Sequence, residues 1–246
     1  MTPVQAADFA LNPRLSIATL AERFASFGRM QIADFLAEES ASRLRDYLES
    51  SDRWRHLFNS RERTYEFSNA DWETLPEEKR DELLSAIDEG AAYDFQYQYD
   101  TIRVDDHAAA RAKSNSLLDR FGEFLSSQPV LEVLMHITGA SDLMFADCQA
   151  TRYRPGDFLT PHNDELEGMN RRFAYVLNLT PDWRPRWGGL LHFVDGTGGI
   201  EDTVTPRFNA LSLFAIGQSH YVSQVATYAP LPRISVTGWL RTQIPG

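Results

Sequence analysis

Cysteine is nearly absent: Cys148 stands alone among 246 residues, so no disulfide can close within the chain. Stability must then come from a packed core, in keeping with a reducing compartment. Cys148 lies in the apolar run LMFADCQATRY and reads as a buried, inert thiol. No run approaches the ~18 apolar residues that would suggest a membrane span. The start, MTPVQAADFALNPRLS, lacks the basic residues and long apolar stretch of a secretory signal. A cytoplasmic protein without a membrane partner is expected. Positive charge is also scarce: 24 Lys and Arg face 35 Asp and Glu, for a net charge of -11. That surface repels phosphate backbones, so nucleic acid is not an expected partner, whereas a basic protein or peptide is weakly favoured. Repeats and low-complexity linkers are missing too. A single domain over residues 1–246 is expected.

What is present changes character midway. Residues 1–140 read as mainly helical support. DFLAEESASRLRDYLES places Phe35, Leu36, Leu44, Tyr47 and Leu48 on one helical face. LPEEKRDELLSAIDEG opens with Pro76 and acids and closes at Gly90, as helix ends prefer. SLLDRFGEFLSS and PVLEVLMHITG read as two more helices, and AAYDFQYQYDTIRV alternates as a strand. Residues 141–246 read as β. MFADCQATRY, RRFAYVLNLT, GLLHFVD, ALSLFAI, HYVSQVA and RISVTGWL are short runs separated by turn chemistry such as PGD and DGTGG. The expected fold is α+β, a β-barrel or jelly roll buttressed by N-terminal helices.

HNDELEG, His162 to Gly168, supplies the chemistry. On an extended segment His162 and Asp164 would share a face. His220, opening a later strand, would complete two histidines and one carboxylate with open positions opposite, the ligand pattern of non-haem Fe(II) oxygenases. RISVTGWLR then places Arg233, Ser235, Thr237 and Trp239 on one face, with Ile234, Val236, Gly238 and Leu240 on the other. An arginine inside a barrel needs an anion. Arg233 could grip the far carboxylate of a dicarboxylic acid such as 2-oxoglutarate, and Tyr153 could donate a hydrogen bond to it.

His162-x-Asp164, His220 and Arg233-x-Ser235, in that order, resemble the Fe(II)/2-oxoglutarate dioxygenases of the double-stranded β-helix (jelly-roll) fold. HNDELEG, RRFAYVLNLTPDW, WGG, HYVSQV and RISVTGW are similar to the prolyl hydroxylase branch, nearest the ribosomal prolyl hydroxylases. The similarity covers about residues 145–241. It implies Fe(II) at His162, Asp164 and His220, and 2-oxoglutarate at Arg233 with Tyr153 and Thr237 assisting. It implies O2 as co-reactant, with ascorbate supporting activity. Asn178 stands where the family usually has a tyrosine that contacts the cosubstrate, so either a shorter amide contact or none is the expectation there. The ribosomal hydroxylases carry a second barrel domain, which this chain, stopping at Gly246, is expected to lack.

The resemblance implies hydroxylation of a prolyl residue in a protein or peptide, a basic ribosomal protein among the candidates, giving succinate and CO2. Two other readings stay open: a hydroxylase of a free amino acid or other small metabolite, and a non-catalytic barrel that binds metal or small acids. His192 reads as structural, and His56, His107 and His136 as non-ligands. Trp183 and Trp187 read as packing residues and Trp239 as a pocket wall. Arg171 and Arg172 read as a solvated strand start, one of them able to meet substrate. Glu165 and Glu167 read equally as a clamp for a cationic peptide or as a solvated loop.

Overall fold

The computed structural model describes residues 8–60 and 63–244. In chain order these form α1 (Ile17–Phe27), β1 (Arg29–Ile32), α2 (Glu38–Glu49), β2 (Arg55–Ser60), β3 (Arg63–Ser68), α3 (Asn69–Thr74), α4 (Glu77–Ala91) and β4 (Tyr97–Arg103). Then come α5 (Ala108–Ser114), α6 (Leu117–Leu125), α7 (Gln128–Thr138), β5 (Phe145–Ala146), β6 (Gln149–Tyr153), β7 (Phe158–His162) and β8 (Arg171–Asn178). Last are β9 (Leu191–Val194), β10 (Ile200–Val204), β11 (Ala210–Ala215), β12 (His220–Val222) and β13 (Arg233–Arg241).

The strands pair antiparallel in the order β1-β11-β8-β13-β6-β4-β7-β12-β9-β10, with β2 and β3 added beyond β4 and β5 beside β13. The order curls into a nearly closed jelly roll. Its two ends meet through side chains. Arg29 of β1 lies 3.1 Å from Glu201 and 3.2 Å from Asp202 of β10, and the Phe193 and Phe214 rings pack edge-on at 5.1 Å across the seam. The apolar contact carries more of that closure than the ion pairs, whose carboxylates are exposed.

Alternation on β13 and β8 sorts the interior from the outer face. Ile234, Val236 and Leu240 join Phe173, Tyr175 and Leu177 in one cluster with Leu20, Phe24 and Leu44 of the N-terminal helices and with Phe121, Leu131 and Leu134. Arg233, Ser235, Thr237 and Trp239 line the cavity on the other face. The helices are thus a wall behind the sheet, and the site lies on its far side.

The expected helices are found at α2, α4, α6 and α7, and the fold class matches. Residues 1–140 are less helical than their sequence suggests, because β1, β2, β3 and β4 also lie there. The β2–β3 hairpin escapes a reading by periodicity because both faces are partly covered, one by the cluster of Phe58, Tyr65, Phe67 and Trp72. α4 runs through Gly90 to Ala91; a Cβ at Gly90 would lie 2.5 Å from Oε1 of Gln96, so this glycine makes room rather than ending the helix. HYVSQVA keeps its ladder only over His220–Val222. Ser223 and Gln224 then turn to accept the amide of Gly189, and Val225 bridges Gly188.

Gly238 sits where β13 passes the backbone of β5–β6. A Cβ there would overlap the Asp147 carbonyl oxygen and come within 3.0 Å of the Tyr175 hydroxyl. Gly238→Ala is predicted to cost about 1–3 kcal/mol, the usual range for overpacking, measured by urea titration. An unchanged midpoint would contradict this close approach.

Candidate metal centre and its cavity

His162 ends β7 and His220 opens β12, and the two are directly opposed in the antiparallel register. Opposed residues bring their side chains together, and the imidazole centroids lie 4.2 Å apart. Asp164 reaches them by a turn, not by the extended i, i+2 spacing expected from sequence. Its φ of 62° is left-handed, a conformation aspartate tolerates better than most residues. The Gly217 amide donates to the Asn163 carbonyl at 3.1 Å and Arg171 donates to the Asp164 carbonyl at 3.2 Å, pinning the turn.

Each histidine Nδ1 faces a backbone carbonyl: Thr160 at 3.0 Å for His162 and Gln218 at 2.8 Å for His220. A carbonyl only accepts, so each Nδ1 carries the proton and each Nε2 is turned to Asp164. The Nε2 atoms lie 3.5 and 3.3 Å from the two carboxylate oxygens. Ions with bonds of about 2.1 Å space adjacent ligands by about 3 Å, so the three donors fit one small cation. Burial raises the Asp164 pKa, but the hydrogen bonds from His162 and His220 outweigh it and hold the carboxylate well below its ordinary range. His162, Asp164 and His220 are the one such donor group able to hold a metal among the described residues.

The cavity beside them has a volume of about 500 Å³. Arg233 reaches it from the start of β13, 2% exposed. Its Nε and Nη2 donate to Asn178 Oδ1 at 3.4 and 3.2 Å, while Nη1 is buried with no partner among the described residues. Burial pulls its pKa down, opposed only by Tyr153, and no carboxylate pairs with it among the described residues. Tyr153 is opposite Arg233 on β6, its ring centroid 5.3 Å from the guanidinium carbon. Burial pushes the Tyr153 phenol far up, so it stays a protonated donor. Trp183, Val222 and Val225 pack around Tyr153, and Trp187 meets Trp183 edge-on at 5.4 Å. An orphaned guanidinium beside a protonated phenol suits a carboxylate ligand.

The structure therefore brings His162, Asp164, His220, Arg233, Tyr153 and Thr237 around one cavity. The Thr237 hydroxyl donates to the Tyr175 carbonyl at 2.9 Å, leaving its oxygen as an acceptor. Asn178 is not in the cavity lining. Its amide lies toward the Ala210 carbonyl at 3.4 Å and its oxygen accepts from Arg233 at 3.2 Å, so within the chain it holds the arginine. Arg171 turns inward, its guanidinium carbon 3.5 Å from the Trp239 ring centroid, and Arg172 turns out toward Asp142. Glu165 lines the rim and Glu167 does not. His192 bonds Thr203 at 2.9 Å and His56 bonds Asp100 at 3.1 Å, both away from the cavity. Cys148 is buried, and burial raises its pKa far above the ordinary thiol value.

Sequence reasoning missed Tyr97, Tyr99 and Phe95 as cavity residues. The signal was their alternation in YDFQYQY, which puts one aromatic face on β4. It also missed the buried pair Thr151–Ser235, whose hydroxyls are 2.9 Å apart under the cavity.

The profile of the 2OG-Fe(II) oxygenase superfamily matches residues 148–241, the span that carries all three candidate ligands and Arg233. Over this span the chain is similar to the 2OG-Fe(II) oxygenases. A prolyl 3-hydroxylase from Xenopus laevis, OGFOD1, is 31% identical over 172 residues, covering 66% of this chain and 31% of that one. The chain thus spans under a third of that relative's length. A 2OG-Fe(II) family oxidoreductase from Burkholderia pseudomallei superimposes with a TM-score of 0.61 at 12% identity, covering 95% and 94% of the two chains. A Trichoplax adhaerens prolyl hydroxylase, solved with a hypoxia-inducible-factor peptide, gives 0.57 at 14% identity over 92% and 89%. These two likenesses show the fold, a jelly roll with its surrounding helices.

The cavity walls make two expectations measurable. Asn178→Ala removes the side-chain acceptor of Arg233. In the metal-loaded protein, 2-oxoglutarate affinity should fall by about 0.5–1.5 kcal/mol, one net hydrogen bond, by calorimetry; an unchanged affinity would show that Arg233 needs no such hold. The second concerns Asp157, in the turn that joins Tyr153 to His162. Burial pushes its carboxyl up to about 7, against the pull of Arg154. A carboxyl raised by folding contributes stability below its unfolded value of about 4 and loses it as pH rises to its folded value. Relative to wild type, Asp157→Asn should flatten the fall in stability between about pH 4 and 7. Parallel curves from denaturant titrations would show that Asp157 is ionised there.

Proposed function

We propose that the chain catalyses 2-oxoglutarate- and O2-dependent hydroxylation of a prolyl residue in a protein or peptide, releasing succinate and CO2. The observation that carries this reading is the meeting, in one cavity, of the His162–Asp164–His220 donor set with an arginine whose buried Nη1 has no partner among the described residues. The prolyl substrate is supported by the relatives, among them the OGFOD1 prolyl 3-hydroxylase.

Fe(II) held at the three donors, with 2-oxoglutarate and dioxygen, would supply the oxidising power needed to place oxygen on an unactivated C–H bond. The chain's own residues do the rest. His162 and His220 offer Nε2 lone pairs because Thr160 and Gln218 hold their Nδ1 protons. Asp164 brings the negative charge that favours a divalent cation. Arg233 would pair with the distal carboxylate of 2-oxoglutarate, Tyr153 would donate to it, and Thr237 would assist. Asn178 would keep the guanidinium aimed. Leu159, Leu191 and Val222 make the walls apolar and exclude water from the reacting groups. Trp239, held under Arg171, closes the side toward Asp164.

Residues 1–246 are read as one domain, with the helical half as support, in a cytoplasmic enzyme that ascorbate keeps active. Glu165 at the rim favours a cationic peptide, a basic ribosomal protein being one candidate. The test is turnover with Fe(II), ascorbate and 2-oxoglutarate, reading oxygen insertion by mass. His162→Ala, Asp164→Ala and His220→Ala should each abolish succinate formation, and retained turnover in all three would sink the assignment. A basic prolyl peptide should be converted in preference to free proline, less well as salt rises. Conversion of free proline with the peptide untouched would move the reading to a small-metabolite hydroxylase.

A further inference from the structure

β4 and the residues just before it present Phe95, Tyr97 and Tyr99 along one edge of the cavity. Phe95 and Tyr97 lie 5.6 Å apart by ring centroid, Tyr97 and Tyr99 another 5.6 Å, and Tyr99 lies 5.2 Å from Tyr153. The row runs from the surface down to the phenol beside Arg233. Its outer end is Phe95, 49% exposed, with its ring 5.7 Å from that of the candidate ligand His162. Leu166 also lines the cavity and is 58% exposed.

The inner end of this row belongs to the site already described. Phe95 and Tyr97 do not, and Phe95 and Leu166 are large apolar side chains that line the cavity and yet stay exposed to solvent. We propose that Phe95 and Tyr97, with Leu166, form a docking strip for the extended peptide segment next to the modified proline. The proposal rests on the prolyl hydroxylase reading and adds to it which residues make the enzyme prefer a peptide.

The chemistry fits that occupant. Proline-rich segments sit in aromatic-lined grooves because the polyproline II form is already ordered and costs little to bind. That form rises about 3.1 Å per residue, so residues two apart are separated by about 6 Å, close to the 5.6 Å between the Phe95 and Tyr97 rings. Tyr97 is held in place from behind, because its hydroxyl bonds the Thr64 hydroxyl at 3.1 Å and ties it to the β2–β3 hairpin. Glu165 lines the same cavity and suits a cationic side chain on the peptide.

The experiment compares wild type, Phe95→Ala, Tyr97→Ala and Leu166→Ala on a pool of lysine-flanked single-proline peptides and on free proline. Tyr228→Ala, an exposed aromatic outside the cavity, is the control. Thermal melting confirms that each variant is folded, and peptide affinity is also measured without turnover, on Mn(II)-loaded protein with 2-oxoglutarate. The Phe95 and Tyr97 variants are expected to bind the peptides about ten-fold more weakly, with KM rising in step, while Tyr228→Ala binds as wild type. Unchanged peptide affinity in folded Phe95→Ala and Tyr97→Ala overturns the docking strip while leaving prolyl hydroxylation standing. Wild-type protein that forms succinate but oxidises no prolyl peptide overturns the function, and the strip with it.

Discussion

The guanidinium of Arg233 is the constraint on which the rest of the site depends. It is buried at the start of β13, and among the described residues its Nη1 bonds nothing and its one side-chain acceptor is the neutral Asn178. Taking an unpaired charge out of water is expensive. A fold keeps such a group only if its surroundings hold it there and a ligand later completes it. The surroundings are specific: Tyr153 opposite on β6, Asn178 behind on β8, and the Trp183–Trp187 pair packed around Tyr153.

Closing the jelly roll brings a second charged group into the same cavity. β7 and β12 carry His162 and His220 in direct register, and the turn after β7 folds Asp164 between them. The negative end is therefore met by two imidazoles whose protons point away, and the positive end meets no carboxylate among the described residues. A dicarboxylate that shares a cation with the first end and pairs with the second answers both needs. The N-terminal helices act at one remove. They cover Ile234, Val236 and Leu240 on the outer face of β13, and that fixes which face Arg233 must take.

Much of this was legible in the sequence because alternation is strict where one face is buried. RISVTGWLR put Arg233, Ser235, Thr237 and Trp239 together, and the structure agrees. His162 and His220 were legible by type and order, but the Asp164 contact was reached by the wrong geometry, since a left-handed turn leaves no periodic trace. Asn178 was read by position as a neighbour of the ligand, and its bond to Arg233 could not be read, because it joins two strands at positions 55 residues apart. The aromatic row of β4 was hidden because an alternating strand can face either a core or a cavity. Only the pairing of β4 with β7 shows which one it is.

The most direct measurement is the melting temperature of Arg233→Met beside wild type, each with and without 2-oxoglutarate and Mn(II). Methionine fills similar space without a charge. The account predicts that the ligand-free variant is at least as stable as wild type, because an unpaired buried charge has been removed. It also predicts that wild type gains stability with 2-oxoglutarate by mass action and the variant does not. A variant that melts well below wild type when ligand-free, yet gains as much from 2-oxoglutarate, would show that Arg233 serves the fold and that the carboxylate binds elsewhere.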